Sequence, residues 1–225
     1  MTSLPIPPRR LALSWTGLLP ADAEWLDALA RRVFGPIPLA VLDPTARNLL
    51  EGAQSQGLGP VASVWELVGP GALAQQSDRT VVVTAAGSGA VLRWLHPYWA
   101  GWPIVAGKPV TFTTSMAPTA GTCALYWVDA AGVILLTLGG TGNTITATPP
   151  AGAVYVRPAV LLSPTTTPTP IGPALLRIAA DTPPGPLGTL GDGCPAMTVT
   201  GYTDRPTATA RDLSLTLVEV RRARS

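Results

Sequence analysis

The stretch ALYWVDAAGVILLT, residues 124–137, decides the fold. Two apolar runs flank DAAG (129–132), where Asp hydrogen-bonds local backbone and Gly tolerates positive φ, the composition of a hairpin turn. Tyr126 and Trp127 are adjacent on the first strand, so they face opposite ways and one of them belongs to a core. Working outward, the same pattern repeats. Strands are expected at GAVLRWL (89–95), PVTFTTSM (109–116), NTITAT (143–148) and AVYVRPAVLL (153–162). ASVWELV (62–68), RTVVVTA (79–85) and ALLRIAAD (174–181) extend the series, at roughly one strand per ten to fifteen residues, the spacing of a β-sandwich. GPGALAQQ (69–76) reads as a turn. SPTTTPTPIGP (163–173) is too proline-rich for a strand centre and reads as an extended loop, and TPPGPLGTLGDG (182–193) as a connector.

The two ends of the chain read differently. Leu11, Leu13 and Trp15 alternate with Ala12, Ser14 and Thr16, a half-buried strand over 9–18. PADAEWLDALARRVFGP follows with the marks of a helix: Pro20 at its start, Asp22 and Glu24 in the first turn, Arg31 and Arg32 in the last, and Gly35–Pro36 as a stop. Trp25, Leu26, Leu29, Ala30 and Val33 fall on one stripe of it. PLAVL (38–42) is a second strand, left through an Asp-Pro turn. AMTVTGYTD (196–204) and RDLSLTLVEV (211–220) are the last two strands.

Composition bounds the function. Hydrophobic residues make up 47% of the 225, too many for a disordered chain despite 23 Gly and 25 Pro. Charged residues are 12%, with a net +2 and scattered arginines, which leaves no footprint for nucleic acid. So little charge is unusual for a free cytosolic protein and suits a subunit whose surface is covered by neighbours. MTSLPIPPRR lacks a continuous apolar segment, so no secretory signal is expected, and no run approaches a membrane span. Cys123 and Cys194 have no zinc spacing and are expected as two buried thiols.

Catalytic patterns are hard to find. A lone His96 rules out His-based metal sites, GSGA (87–90) lacks the frame of a nucleophile elbow, and no phosphate-binding glycine motif occurs. The four glutamates, Glu24, Glu51, Glu66 and Glu219, suggest no glycosidase pair. The chain is expected to be non-enzymatic, with no cofactor and no metal. The remaining candidate is VLRWLHPYWAGW (91–102), which gathers Trp94, His96, Tyr98, Trp99 and Trp102. Its rings suit either stacking on a sugar or packing at a core or subunit contact, and packing is favoured about three to one because large aromatics dominate cores and interfaces alike.

Two resemblances join these readings. GKPVTFTTSM, ALYWVDAAGVILLT and TITATPPAGAVYVRPAVLL resemble the strand order of carbohydrate-binding-module jelly-rolls, over about residues 60–180. LALSWTGLLPADAEWLDALARRVFGPIPLAVLDPTARNLL and TDRPTATARDLSLTLVEV resemble minor or distal tail proteins of tailed bacteriophages, of the type found in actinobacterial siphophages. The resemblance implies a tail-tube-like ring domain made from residues 1–58 and 185–225, with a jelly-roll sandwich inserted at 59–184. It further implies a virion protein at the tail tip, a homo-oligomeric ring of most often six copies, and an outward jelly-roll touching other tail proteins or a host-surface glycan. The competing reading is a stand-alone, non-catalytic carbohydrate-binding module. A hydrolase built on a sandwich ranks third.

Overall fold

The computed structural model of the chain describes residues 8–33, 38–42, 46–116, 120–178, 186–207 and 209–220. It is mainly β, with antiparallel sheets throughout. The chain divides into two compact units, Met1–Val41 with Pro195–Ser225, and Leu42–Cys194.

The smaller unit holds β1 (Arg10–Leu18), α1 (Pro20–Ala30), β2 (Leu39–Ala40), β15 (Ala196–Pro206) and β16 (Arg211–Glu219). Its sheet runs β1-β16-β15-β2. Leu13 pairs with Leu215 and Trp15 with Leu213, so the alternating apolar residues share one face. Ala23 and Leu26 of α1 pack on that face against Leu213 and Leu215, with Trp15 and Tyr202 alongside. The Tyr202 hydroxyl donates to Asp27 Oδ1 at 2.6 Å and ties helix to sheet. On the other face Thr203 and Ser214 share a hydrogen bond. The helix is shorter than its sequence pattern: it stops at Ala30, and Arg32 turns the chain out with φ 63°. The apolar stripe narrows accordingly, leaving Trp25 and Val33 exposed. The expected stop at Gly35–Pro36 lies outside the described residues, and the second strand shrinks from five residues to Leu39–Ala40.

The larger unit is a sandwich. It contains the single-turn helices α2 (Gly52–Ser55) and α3 (Val61–Val64), then β3 (Trp65–Val68), β4 (Gly71–Gln75), β5 (Val81–Ala85) and β6 (Val91–Trp94). β7 (Trp102–Pro103), β8 (Val110–Thr114), β9 (Gly121–Val128) and β10 (Ile134–Gly139) follow. β11 (Thr144–Ala147), β12 (Tyr155–Leu162), β13 (Thr166–Pro170) and β14 (Ala174–Ile178) complete it. One sheet runs β10-β9-β12-β6-β3, with β7 also on β12; β11-β8-β14 and β13-β5-β4 form two others. Trp94 of β6 meets Phe112 of β8 edge-on, ring centroids 5.0 Å apart, which places the β8 sheet across the core from the large one. On β9, Cys123, Leu125 and Trp127 point into that core, whereas Ala124 and Tyr126 form a separate cluster with Ala159 on the opposite face. Both cysteines are buried and form no disulfide with each other.

Four expectations need correction. The first half of the strand expected over 62–68 is the helical turn α3, closed by the Trp65 N–H donating to Val61 O. GPGALAQQ contains strand β4 rather than only a turn: a Cβ on Gly71 would lie 2.2 Å from Thr84 O, so glycine permits the close approach to β5. The proline-rich 163–173 segment contains strand β13, which tolerates Pro168 and Pro170 because it lies at a sheet edge. The unit boundaries also fall outside the expected 58/59 and 184/185. Leu49 and Leu50 lie in the sandwich core, and Gly193 N donates to Leu50 O, so both flanking segments fold with the sandwich.

Candidate functional site

The aromatic segment leaves β6 at Trp94, loops through His96–Gly101, and re-enters the sheet as β7, where Trp102 pairs with Val156. Gly101 allows this close re-entry: a Cβ there would lie 2.4 Å from Val156 O. Trp94 and Trp102 are 0% exposed and His96 8%, whereas Tyr98 and Trp99 are half-buried. The structure brings His96, Tyr98, Trp99 and Trp102 together as packing, while Trp94 packs on Phe112. The His96 ring lies 4.7 Å from the Trp99 ring and meets Trp102 edge-on at 5.3 Å. Trp94 and Trp102 present no ring face to a ligand.

The ring nitrogens of His96 and Trp102 are committed to backbone, whereas Trp94 Nε1 is buried without a hydrogen-bond partner among the described residues. His96 Nδ1 accepts from Tyr98 N at 3.1 Å and Trp99 N at 3.4 Å. That assigns the proton to Nε2, which donates to Cys194 O at 3.0 Å. Burial pushes the imidazole pKa down to about 4, against the opposing pull of the Cys194 carbonyl, so the ring is neutral at physiological pH. Trp102 Nε1 donates to Leu49 O at 2.8 Å. From the other side Arg157 Nε and Nη2 both donate to Ala100 O, at 2.9 and 2.8 Å.

These contacts define a latch. Leu49 lies where the chain arrives in the sandwich and Cys194 where it leaves, and the aromatic loop holds both. Asn48 reinforces it: Nδ2 donates to Ala174 O, and Oδ1 accepts from Leu50 N and Leu176 N. Gln54 Nε2 donates to Leu95 O at 2.7 Å, fixing the loop's start. Asn48, Gln54 and Arg157 were not singled out in the sequence. A lone Asn or Gln gives no periodic signal, and their partners lie up to 141 positions away.

A second polar group sits on the outer face of the large sheet. The Arg93 guanidinium lies 4.9 Å from the centre of the Tyr126 ring and 3.3 Å from Glu66. Burial, then the nearby Arg93 charge, lowers the Arg157 pKa. The group holds neighbouring strands together; Arg93 and Glu66 are directly paired across β6 and β3. Among the described residues no group of three or more His, Cys, Asp or Glu lies together, and no helix is long and apolar enough to cross a membrane.

No protein-family model matches the chain, and no curated protein matches it. Three solved structures resemble it in part. The enzymatically active domain of bacteriophage CBA120 tailspike protein 4 has a TM-score of 0.42 at 14% identity, over 61% of this chain and 22% of that one. The accessory secretory protein 1, 2 and 3 structure from Streptococcus pneumoniae has 0.43 at 17%, over 58% and 99%. The C-terminal family 22 carbohydrate-binding module of Clostridium thermocellum Xyn10B has 0.31 at 19%, over 60% and 99%. The chain thus matches about a fifth of the tailspike domain's length.

Proposed function

We propose that the chain is a non-catalytic structural subunit of a phage tail, a minor or distal tail protein that forms a ring with copies of itself at the tail tip. The observation that carries this reading is the pair of open edges on the small sheet. Among the described residues β1 has no strand on its outer side, and β15 is covered by β2 only at Ala196 and Met197, leaving Thr198–Pro206 open. β1 and β15 are each antiparallel to β16 and therefore parallel to one another. The β1 edge of one copy then meets the β15 edge of the next in the same orientation, a head-to-tail contact that closes into a ring when the rotation permits. Six copies is the number implied by the sequence resemblance. A lone monomer would instead present two templates for unwanted strand pairing.

Two further observations support the reading. The chain's single imidazole is held on both nitrogens and buried, so it is not placed to act as a general base. The surface is poor in charge, as expected for a subunit among neighbours. The jelly-roll faces outward in this proposal, toward other tail proteins or a host-surface glycan. Of the five aromatic-loop residues only Tyr98 and Trp99 keep ring area at the surface, so sugar stacking at this loop is confined to those two.

An edge variant tests the ring. The Glu219 N–H donates to Arg9 O, and ladder alternation then turns the Ala12 N–H toward the open side of β1. Ala12→Pro removes that outward donor while sparing the β1–β16 ladder. Light scattering is expected to show a closed oligomer for the parent chain and loss of that species for Ala12→Pro. A parent chain that is monomeric and binds a polysaccharide would favour the stand-alone module instead.

A further inference from the structure

One end of the jelly-roll is apolar and unpartnered. Val133, Ile134, Leu135 and Leu136 on the β9–β10 hairpin, with Val105 and Val154, are six of the eleven large hydrophobic residues exposed among the described residues. Their exposure runs from 39% at Val154 to 58% at Val133. They lie on three neighbouring segments. Ile104 N donates to Val154 O, Val154 N donates to Val128 O, and Val128 pairs with Ile134. Leu135 Cδ1 reaches the turn before Val154, 3.7 Å from where a Cβ on Gly152 would sit. β10 is also the last strand of its sheet, and the register shift between Ile134 and Leu136 turns out apolar rather than charged side chains.

Charge is missing from this part of the molecule. Residues 109–176 contain only two charged side chains, Asp129 and Arg157. Asp129 Oδ1 accepts from Ala131 N and Val133 N within its own turn, and Arg157 is committed to Ala100 O. Soluble proteins protect an exposed edge with lysines, inward charges or proline. Val133–Gly139 has none of these. An apolar patch of this kind marks a contact surface.

We propose that this end of the jelly-roll docks on the same end of a second copy of the chain, related by a two-fold axis. In an isologous contact each residue near the axis meets its own copy, so any charge there would face a like charge. A surface free of charge lets two copies meet at the axis without that repulsion, and this is such a surface. Lys108 and Asp129, one of each sign, sit on the loops bordering the patch, where Lys108 N donates to Val105 O and Asp129 N to Val133 O. The contact is independent of the ring edges.

The test uses the full-length chain in the Ala12→Pro background, where ring edges are blocked. Sedimentation velocity is expected to show a species of twice the 23.2 kDa chain mass, and adding Leu135→Glu is expected to return it to the monomer. Leu135→Cys is expected to form a disulfide-linked dimer under diamide, well ahead of Ser77→Cys on an exposed turn elsewhere, since Cys123 and Cys194 are buried. A monomeric Ala12→Pro chain, or cross-linking at 135 no faster than at 77, overturns the proposal. Neither result depends on whether the parent chain forms a ring.

Discussion

The aromatic loop and the β9–β10 hairpin are both apolar, and they have opposite fates. Residues 94–102 carry the rings that first suggest a binding platform, yet Trp94 and Trp102 are fully buried and His96 nearly so. Residues 133–136 carry only aliphatic side chains, yet all four are exposed at a sheet edge. The difference lies in the partners. The loop is held by Leu49, Cys194 and Arg157 from distant parts of the chain, whereas the hairpin is the end of its sheet. Residue type alone therefore points to the wrong surface. Changes in the loop should act on folding, and changes in the hairpin on association.

The largest expected effect is at Trp102. Trp102→Ala removes a fully buried ring and leaves Leu49 O without its donor, and should destabilise the chain by about 3–5 kcal/mol in urea unfolding. The hydrogen bond accounts for only about 1 kcal/mol of this, so burial dominates. A loss below about 1 kcal/mol would break the distinction between the regions.

His96 ranks next and has a pH signature. Between about 4 and the ordinary 6.5 the unfolded chain binds a proton that the folded chain excludes, so stability rises with pH through that window. The contribution is complete above 6.5 and is lost as pH falls toward 4, amounting to about 3 kcal/mol. Comparing parent and His96→Gln across this range isolates it from the carboxylates. The two curves should converge at low pH, and parallel curves would contradict a buried neutral imidazole.

Gly101→Ala places a methyl against Val156 O and should cost roughly 1–3 kcal/mol, because backbone cannot rotate away as a flexible side chain can. The smallest effect on folding belongs to the hairpin. Leu135→Ser should change unfolding stability by no more than about 0.5 kcal/mol while weakening self-association. A large folding penalty there would mean that the hairpin is part of the core.

Much of the fold was legible in the residues. Alternation located most strands of the sandwich, and the DAAG turn is closed by Asp129 as its composition implies. What escaped depends on tertiary partners. β13 is a strand because an edge accepts prolines, and α3 is a single helical turn closed by Trp65 N on Val61 O, too short to show a helical period. Four of the five candidate residues meet, and Trp94 packs on Phe112 instead, but the latch that explains the loop needs Asn48, Leu49 and Cys194. Those residues carry no local pattern.

Native mass spectrometry of the parent chain over a range of concentrations tests the central claim most directly. The account predicts a discrete closed oligomer with a fixed copy number that persists on dilution and is absent from Ala12→Pro. A parent chain that remains a single 23.2 kDa species at every concentration would contradict it.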